Sequence, residues 1–239
     1  YPRMHVQNMQ PHDFFPPYIQ TYVERDVRQL KNITNLATFE RFIALCAGRI
    51  GQVVNFTSLA QDCGISNVTA QQWLNVLQAS YIVFLLAPYH NNFNKRLIKM
   101  PKLYFYDTGL ASSLLGIENA TQLDRHFARG HLFENLVVLE LLKARLNAGR
   151  RPHLFFWRDR TGHEVDVIAE WGGALKAIEI KSSSTFSSEF LKGLGYFKAI
   201  AGDATEQYVV YAGSEQYLLK DIQVIPFTDV YGLCQVGTS

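Results

Sequence analysis

The chain has 239 residues, of which 48% are hydrophobic, and its formal net charge is +2. This length and hydrophobic content suit one large or two small packed domains. Because the net charge is small, any contact with nucleic acid would depend on local basic patches. The longest apolar run, residues 81–88, is far too short to span a bilayer, and no basic-then-apolar leader opens the chain. We therefore expect a cytoplasmic protein without a membrane partner.

The N-terminal residues divide into a proline-rich start and two helices. Residues 1–17 show no clear period, and Tyr1 in place of Met indicates that other sequence precedes it. From Pro17 the segment PYIQTYVERDVRQL has the apolar period of a helix, and a second helix is predicted from about Leu36 to Arg49. We assign residues 1–31 to an extension and a helix, and the next domain begins at residue 32.

Residues 55–79 have the pattern of a helix-turn-helix. A short helix is followed by a turn at Gly64 and a new N-cap at Ser66, after which a second helix begins. In DNA-binding domains of this shape the second helix enters the major groove. Its outward face here has neither Lys nor Arg and carries Asn67, Thr69, Gln71, Gln72 and Asn75. DNA contact by this helix and a role as a dimer or interdomain module both remain open.

Two strand-like runs complete a winged helix-turn-helix domain over residues 32–116. They span residues 81–88 and 103–106 and flank a loop, the wing. The basic residues of the wing are Lys95, Arg96, Lys99 and Lys102. Because a basic loop neutralises phosphates whatever the base sequence, we predict weak, sequence-tolerant DNA binding through these residues.

The second domain, residues 117–239, opens with a helix that carries a carboxylate on its apolar face. Residues 127–146 have a helical period, and Glu134 shares a stripe with Val137, Val138 and Leu141. A carboxylate on such a stripe is costly unless it is paired, bound to a metal or able to reach solvent. Glu134 is therefore a candidate site residue, although a Glu near a helix start can also serve the helix dipole.

Residues 155–184 form a predicted meander of three short strands joined by tight turns. The Gly172-Gly173 pair is a two-residue hairpin signal, so positions whose numbers add up to 345 should face each other. Two facing pairs then lie on one face of the sheet: Asp166 with Glu179, and Glu164 with Lys181.

Two carboxylates that face each other across a strand pair repel, so a cation is expected between them. Lys181 supplies one positive charge, and a Mg²⁺ or Mn²⁺ ion, which prefers carboxylate oxygens, can supply the rest. A solvated, salt-bridged sheet face is the alternative interpretation.

The remaining pattern completes an α/β domain. Asp107 is predicted to cap a short helix over residues 110–115. After the meander, a helix begins at Ser187 or Ser188 and ends at Ala201. Strands follow at residues 207–212 and 222–225. The predicted fold class is thus α/β, with a winged helix-turn-helix domain followed by an α/β domain.

One succession of residues resembles the core of the PD-(D/E)xK phosphodiesterases, which include restriction endonucleases and archaeal Holliday-junction resolvases. It consists of Glu134 on a helix, Asp166 on a strand, a hairpin, and the triplet Glu179-Ile180-Lys181 on the next strand. The resemblance implies a nuclease-like fold for residues 117–239. It also implies that Glu134, Asp166 and Glu179 hold Mg²⁺ or Mn²⁺ and that these three residues and Lys181 are catalytic. One departure is Val165, which stands where the family motif has proline.

The order of segments along the chain resembles the C-terminal half of a family of prokaryotic AAA-type ATPases. These segments are YIQTYVERDVRQL, the winged helix, KLYFYDTGL, GHLFENLVVLELL and IEIKSS. The resemblance implies that residues 1–31 end a missing ATPase domain, which acts as a partner in cis. No GxxxxGK[ST] loop occurs in the 239 residues, so we expect no ATPase activity, and ATP would bind only through the missing domain.

The function indicated by both resemblances is the DNA-binding, nuclease-like region of such an ATPase. It would act either as a Mg²⁺-dependent DNA phosphodiesterase or as a non-catalytic module that binds DNA or protein and regulates the ATPase. A homo-oligomer is compatible with both functions.

Overall fold

The computed structural model describes residues 2–7, 9–22, 25, 33, 35–90, 99–202 and 204–234. The fold is mixed α/β, as the sequence predicts, and it contains a six-stranded mixed sheet. The chain divides into two compact units, residues 1–85 with 103–132 and residues 86–102 with 133–239. Among the described residues, no helix is long and apolar enough to cross a membrane.

The first unit is mainly helical, and a two-stranded sheet follows its fifth helix. The helices are α1 (Pro2–Gln7), α2 (Pro11–Tyr22), α3 (Leu36–Ala47), α4 (Phe56–Cys63), α5 (Asn67–Ala79), α6 (Thr108–Leu114) and α7 (Ala120–Arg125). The strands are β1 (Val83–Leu86) and β2 (Lys102–Phe105), which pair with each other.

Helix α2 begins earlier than the sequence predicts. It starts at Pro11, whereas we expected no regular structure before Pro17, and it contains both Pro16 and Pro17. Proline normally interrupts a helix because it lacks the backbone donor, and this rule led to the late predicted start. The continuation of this predicted helix beyond Tyr22 falls almost entirely outside the described residues.

Helices α4 and α5 and their turn follow the predicted pattern. Asn55 and Ser66 cap the two helices, and their side chains accept hydrogen bonds from the backbone N–H groups of Ser58 and Thr69. Gly64 ends α4 with a φ of 74°, a left-handed conformation that glycine adopts without strain. Caps and turns can be predicted from the sequence because their hydrogen bonds join residues only a few positions apart.

Aromatic side chains form the centre of this helical core. Trp73 of α5 packs edge-on against Phe39 and Phe42 of α3, with ring centroids 5.1 and 5.5 Å apart. All three side chains are buried. Asp107 caps α6, as predicted, and accepts a 2.6 Å hydrogen bond from the backbone N–H of Leu110.

The second unit is built on the six-stranded sheet, in the order β3-β4-β5-β6-β8-β7. Its strands are β3 (Leu154–Arg158), β4 (Glu164–Trp171), β5 (Ala174–Lys181), β6 (Thr205–Tyr211), β7 (Tyr217–Leu219) and β8 (Ile222–Pro226). The meander β3-β4-β5 is antiparallel, as predicted, whereas β5, β6 and β8 are parallel. The short strand β7 was not predicted from the sequence.

Helix α8 (Arg129–Asn147) precedes the sheet, and α9 (Lys192–Ala201) connects β5 to β6. Helix α9 packs against β4, β5 and β6. A buried apolar core lies between this helix and the sheet and includes Trp157, Val165, Ile168, Leu194, Phe197 and Val209. The 3₁₀ helices Ser188–Leu191 and Phe227–Cys234 follow β5 and β8. Ser187 is the cap of the first of them, as predicted.

Candidate functional site: a lysine–carboxylate cluster

Helix α8 carries Glu134 into a buried position. Val137, Val138 and Leu141, which share its stripe, are fully buried, so the helical period of the sequence identifies the inward face correctly. Glu134 itself is only 7% exposed. A carboxylate at this depth requires a charged or hydrogen-bonding partner.

The hairpin β4-β5 brings two more carboxylates close together. Its register follows the predicted pairing from Trp171–Ala174 to Val167–Ile178, but the paired positions end there. Beyond that point the Asp166 Oδ2 atom accepts a 2.8 Å hydrogen bond from the backbone N–H of Ile180. The side chain of Asp166 therefore takes the place of a strand-to-strand bond, next to Glu179.

The predicted pairing of Glu164 with Lys181 is not formed. Glu164 aligns with Arg158 of β3, and its carboxylate makes an ion pair with that side chain at 3.4 Å. The other carboxylate oxygen of Glu164 makes an ion pair with Lys102. The hairpin register stops before position 164, so it does not determine the partner of this residue.

Lys102, at the start of β2, lies among three carboxylates. Its Nζ atom is 2.8 Å from Glu134 Oε1, makes the ion pair with Glu164 and is 3.9 Å from Asp166 Oδ1. The side chain is 3% exposed, and its ammonium group lies 5.6 Å from the ring centroid of Phe156. Lys102 is thus a buried site residue and not the exposed wing residue that we expected.

A second lysine, Lys181, makes ion pairs with Glu179 and Asp166. Lys181 Nζ is 2.5 Å from Glu179 Oε1 and 3.9 Å from Asp166 Oδ2. Glu179 Oε2 is buried and has no hydrogen-bond partner among the described residues. We call Glu134, Glu164, Asp166, Glu179, Lys102 and Lys181 the lysine–carboxylate cluster.

Burial and mutual repulsion shape the protonation of the cluster. Burial, with the nearby carboxylates of Glu179 and Glu134, raises the pKa of Asp166 well above its usual range, although the two lysines oppose this. Burial also raises the pKa of Glu179, against the influence of Lys181. Burial alone would lower the pKa of Lys181, but Asp166 and Glu179 raise it above its ordinary value. The cluster is therefore short of positive charge.

The carboxylate oxygens of the cluster suit a metal ion, but the positions of the side chains do not. Carboxylate oxygens suit Mg²⁺ and Mn²⁺, and the buried Glu179 Oε2 atom has no other partner in the described part of the chain. Yet the described residues contain no group of three or more His, Cys, Asp or Glu side chains placed to hold a metal. Lys102 takes the position between Glu134, Glu164 and Asp166, so the cluster as arranged does not fit a metal ion.

The predicted nucleic-acid residues are not brought together in the described structure. Lys95 and Arg96 lie outside the described residues, and Lys99 is exposed. Lys102 is turned into the cluster. The sequence placed Glu164 on the sheet face of Asp166, Glu179 and Lys181 but did not indicate that Lys102 joins them, because no local period or turn links the start of β2 to carboxylates many positions away.

A cavity of about 930 Å³ opens elsewhere in the second unit. It lies where β5, β6 and β8 reach their carboxyl ends, the usual place for ligands in sheets with parallel strands. Thr185, Tyr211 and Asp229 are among its lining residues. No member of the lysine–carboxylate cluster lines it, so the cavity does not extend the candidate site.

Comparison with known proteins finds two domain families along the chain. A family described as a domain of unknown function, DUF8612, matches residues 1–121, and another, DUF4143, matches residues 129–230. The chain is also similar to the uncharacterized proteins Mb2031c of Mycobacterium bovis and Rv2008c of Mycobacterium tuberculosis. Each is 34% identical over 208 residues, which are 87% of this chain and 45% of the relative. The chain spans about half the length of these relatives.

Proposed function

The chain belongs to the DUF8612 family, and from this premise we propose that it is the nuclease-like C-terminal region of a longer prokaryotic ATPase. In this role residues 32–116 act as a winged-helix module, and residues 117–239 have a PD-(D/E)xK-like fold that binds DNA or a partner protein. The region regulates the attached ATPase and does not cut DNA.

The observation that carries the non-catalytic assignment is the position of Lys102. Its ammonium group contacts Glu134 and Glu164 and lies near Asp166, where a nuclease of this type would need its metal ion. An ammonium group offsets part of the negative charge of these carboxylates but cannot activate a water molecule as a bound metal ion does. The cluster then serves to hold Lys102, α8 and the β4-β5 hairpin of the second unit about one point.

The ATPase assignment is supported by the comparisons and by the order of the sequence elements. The relatives are about twice as long as this chain, which leaves room for a further domain in proteins of that kind. DUF4143 is typical of proteins associated with AAA-type ATPases. ATP then binds to the remaining domain, and DNA contacts are weak and made through the wing residues Lys95, Arg96 and Lys99.

A cleavage assay tests the proposed function. The chain is incubated with duplex, single-stranded and branched DNA in the presence of MgCl₂, MnCl₂ or EDTA. We expect no product beyond the EDTA control with any substrate. Metal-dependent cleavage that is lost in Asp166→Asn and Glu179→Gln, but kept in Glu170→Gln, would overturn the non-catalytic assignment. Glu170 lies on β4, the strand of Asp166, but outside the cluster, and is therefore a matched control.

One observation favours the second candidate, a Mg²⁺-dependent DNA phosphodiesterase. All four positions of the family motif, Glu134, Asp166, Glu179 and Lys181, are present and lie in one cluster, and Glu179 Oε2 has no partner among the described residues. The cleavage assay distinguishes the two candidates directly, because only the second predicts product.

A further inference from the structure

Lys102 has the surroundings of a bound cation. Three carboxylates from two different elements, α8 and β4, approach its Nζ atom within 4 Å. The side chain is 3% exposed, so water contributes little to its solvation. The ammonium group donates a 2.8 Å hydrogen bond to Glu134 and makes a close ion pair with Glu164, whereas Asp166 lies at ion-pair distance.

Removal of Lys102 would increase the excess of negative charge in the cluster. Four carboxylates face two lysines, and the Arg158 guanidinium contacts Glu164 from a side chain that is 41% exposed. Loss of Lys102 would leave Glu134 without the partner at 2.8 Å and would increase the excess of buried negative charge. Buried charges of one sign that lose their partner are strongly destabilising, so a replacement cation would be favoured.

We propose that Lys102 is a built-in cation that occupies the position of a divalent metal ion among Glu134, Glu164 and Asp166. The wild-type cluster therefore excludes Mg²⁺ and Mn²⁺, and removal of the ammonium group opens a divalent-cation site. The oxygens of these three carboxylates are its ligands, and the partnerless Glu179 Oε2 atom lies in the same cluster. The inference rests on the proposed non-catalytic function of this cluster.

Calorimetric titration with MnCl₂ tests the inference without reference to DNA cleavage. The wild-type chain, Lys102→Met and Lys99→Met are compared at neutral pH. Methionine keeps the apolar stem of the lysine and removes its charge, and Lys99 is an exposed lysine of the same segment. We expect one Mn²⁺ per chain in Lys102→Met, at least about tenfold tighter than any binding by the wild type or by Lys99→Met.

Equal binding by the wild type and Lys102→Met would overturn the inference, and so would the absence of saturable binding in both. If Lys102→Met does not fold, Lys102→Gln replaces it, because glutamine removes the charge and keeps the carboxylates of Glu134, Glu164 and Asp166. Mn²⁺ binding by this variant alone supports the built-in cation, and no binding contradicts it. A chain that excludes Mn²⁺ but still cuts DNA would leave the inference intact and refute the proposed function.

Discussion

A buried lysine surrounded by carboxylates stabilises a fold only where its contacts offset the cost of removing the charges from water. Removing two charges from water costs several kcal/mol per ion, and a buried ion pair recovers this only with good geometry. Lys102 has such geometry with Glu134, since the two atoms are 2.8 Å apart and both side chains are almost fully buried. The pairing therefore defines where the start of β2 lies relative to α8 within the second unit.

Asp159 shows the opposite electrostatic case, a carboxylate stabilised in its charged form. Burial would raise its pKa, but hydrogen bonds from the backbone and side chain of Thr161 and His163 lower the pKa of Asp159 to about 2. These bonds close the turn between β3 and β4. The turn lies directly before Glu164, the first residue of β4.

We predict that Asp159→Asn destabilises the chain by about 1–2 kcal/mol at neutral pH. Because the pKa of Asp159 is lower in the folded state than in the unfolded chain, its stabilisation is present above about pH 4 and is lost as the pH falls through about 2. Urea unfolding of the parent and the variant should therefore give free energies that converge as the pH falls from about 5 to about 2. A difference that stays constant over this range would contradict the charge-based explanation.

At the scale of the elements, α9 approaches the sheet closely at a glycine. A Cβ atom at Gly193 would lie 2.3 Å from the backbone carbonyl oxygen of Glu164 and 3.6 Å from Glu179 Oε2. The backbone of β4 has no room for it, so only glycine permits this contact between the helix and the edge of the cluster. A Cβ atom at Gly195, two residues later, would meet nothing within 4 Å.

We predict that Gly193→Ala lowers the free energy of unfolding by about 1–3 kcal/mol, since the added methyl group must displace backbone atoms. Gly195→Ala is the matched control, and we expect it to be neutral or stabilising by up to about 1 kcal/mol because alanine favours the helix. Guanidinium unfolding of both variants measures the difference. Equal stabilities would show that α9 can move away from β4 without cost.

Elements whose signals are local could be predicted from the sequence. The Gly172-Gly173 turn predicted the register of β4 and β5, and the helical period predicted that Glu134 is buried. The partners of Glu134 and Glu164 could not be predicted, because they depend on where Lys102 lies relative to α8 and β4 within the second unit, and no turn or period encodes that position. The start of α2 was wrong because tertiary context accommodates prolines that local rules place outside helices.

At the scale of the whole molecule, two compact units carry different proposed tasks. The proposed winged-helix module includes helices α3, α4 and α5 of the first unit, residues 1–85 with 103–132, whereas the lysine–carboxylate cluster lies in the second unit, residues 86–102 with 133–239. The DUF8612 and DUF4143 matches cover residues 1–121 and 129–230, which correspond broadly to these halves.

The central claim is that Lys102 occupies the cation position of the wild-type cluster, which therefore takes no divalent cation. Thermal unfolding of the wild-type chain in MgCl₂ or MnCl₂, compared with EDTA at matched ionic strength, tests it most directly. A cluster whose cation position is occupied by Lys102 predicts the same unfolding midpoint in all three solutions. A ligand that binds the folded state stabilises it by about 2.7 kcal/mol at a concentration of 100 times Kd. A concentration-dependent rise of the midpoint with Mg²⁺ or Mn²⁺ that disappears in Asp166→Asn would contradict the claim.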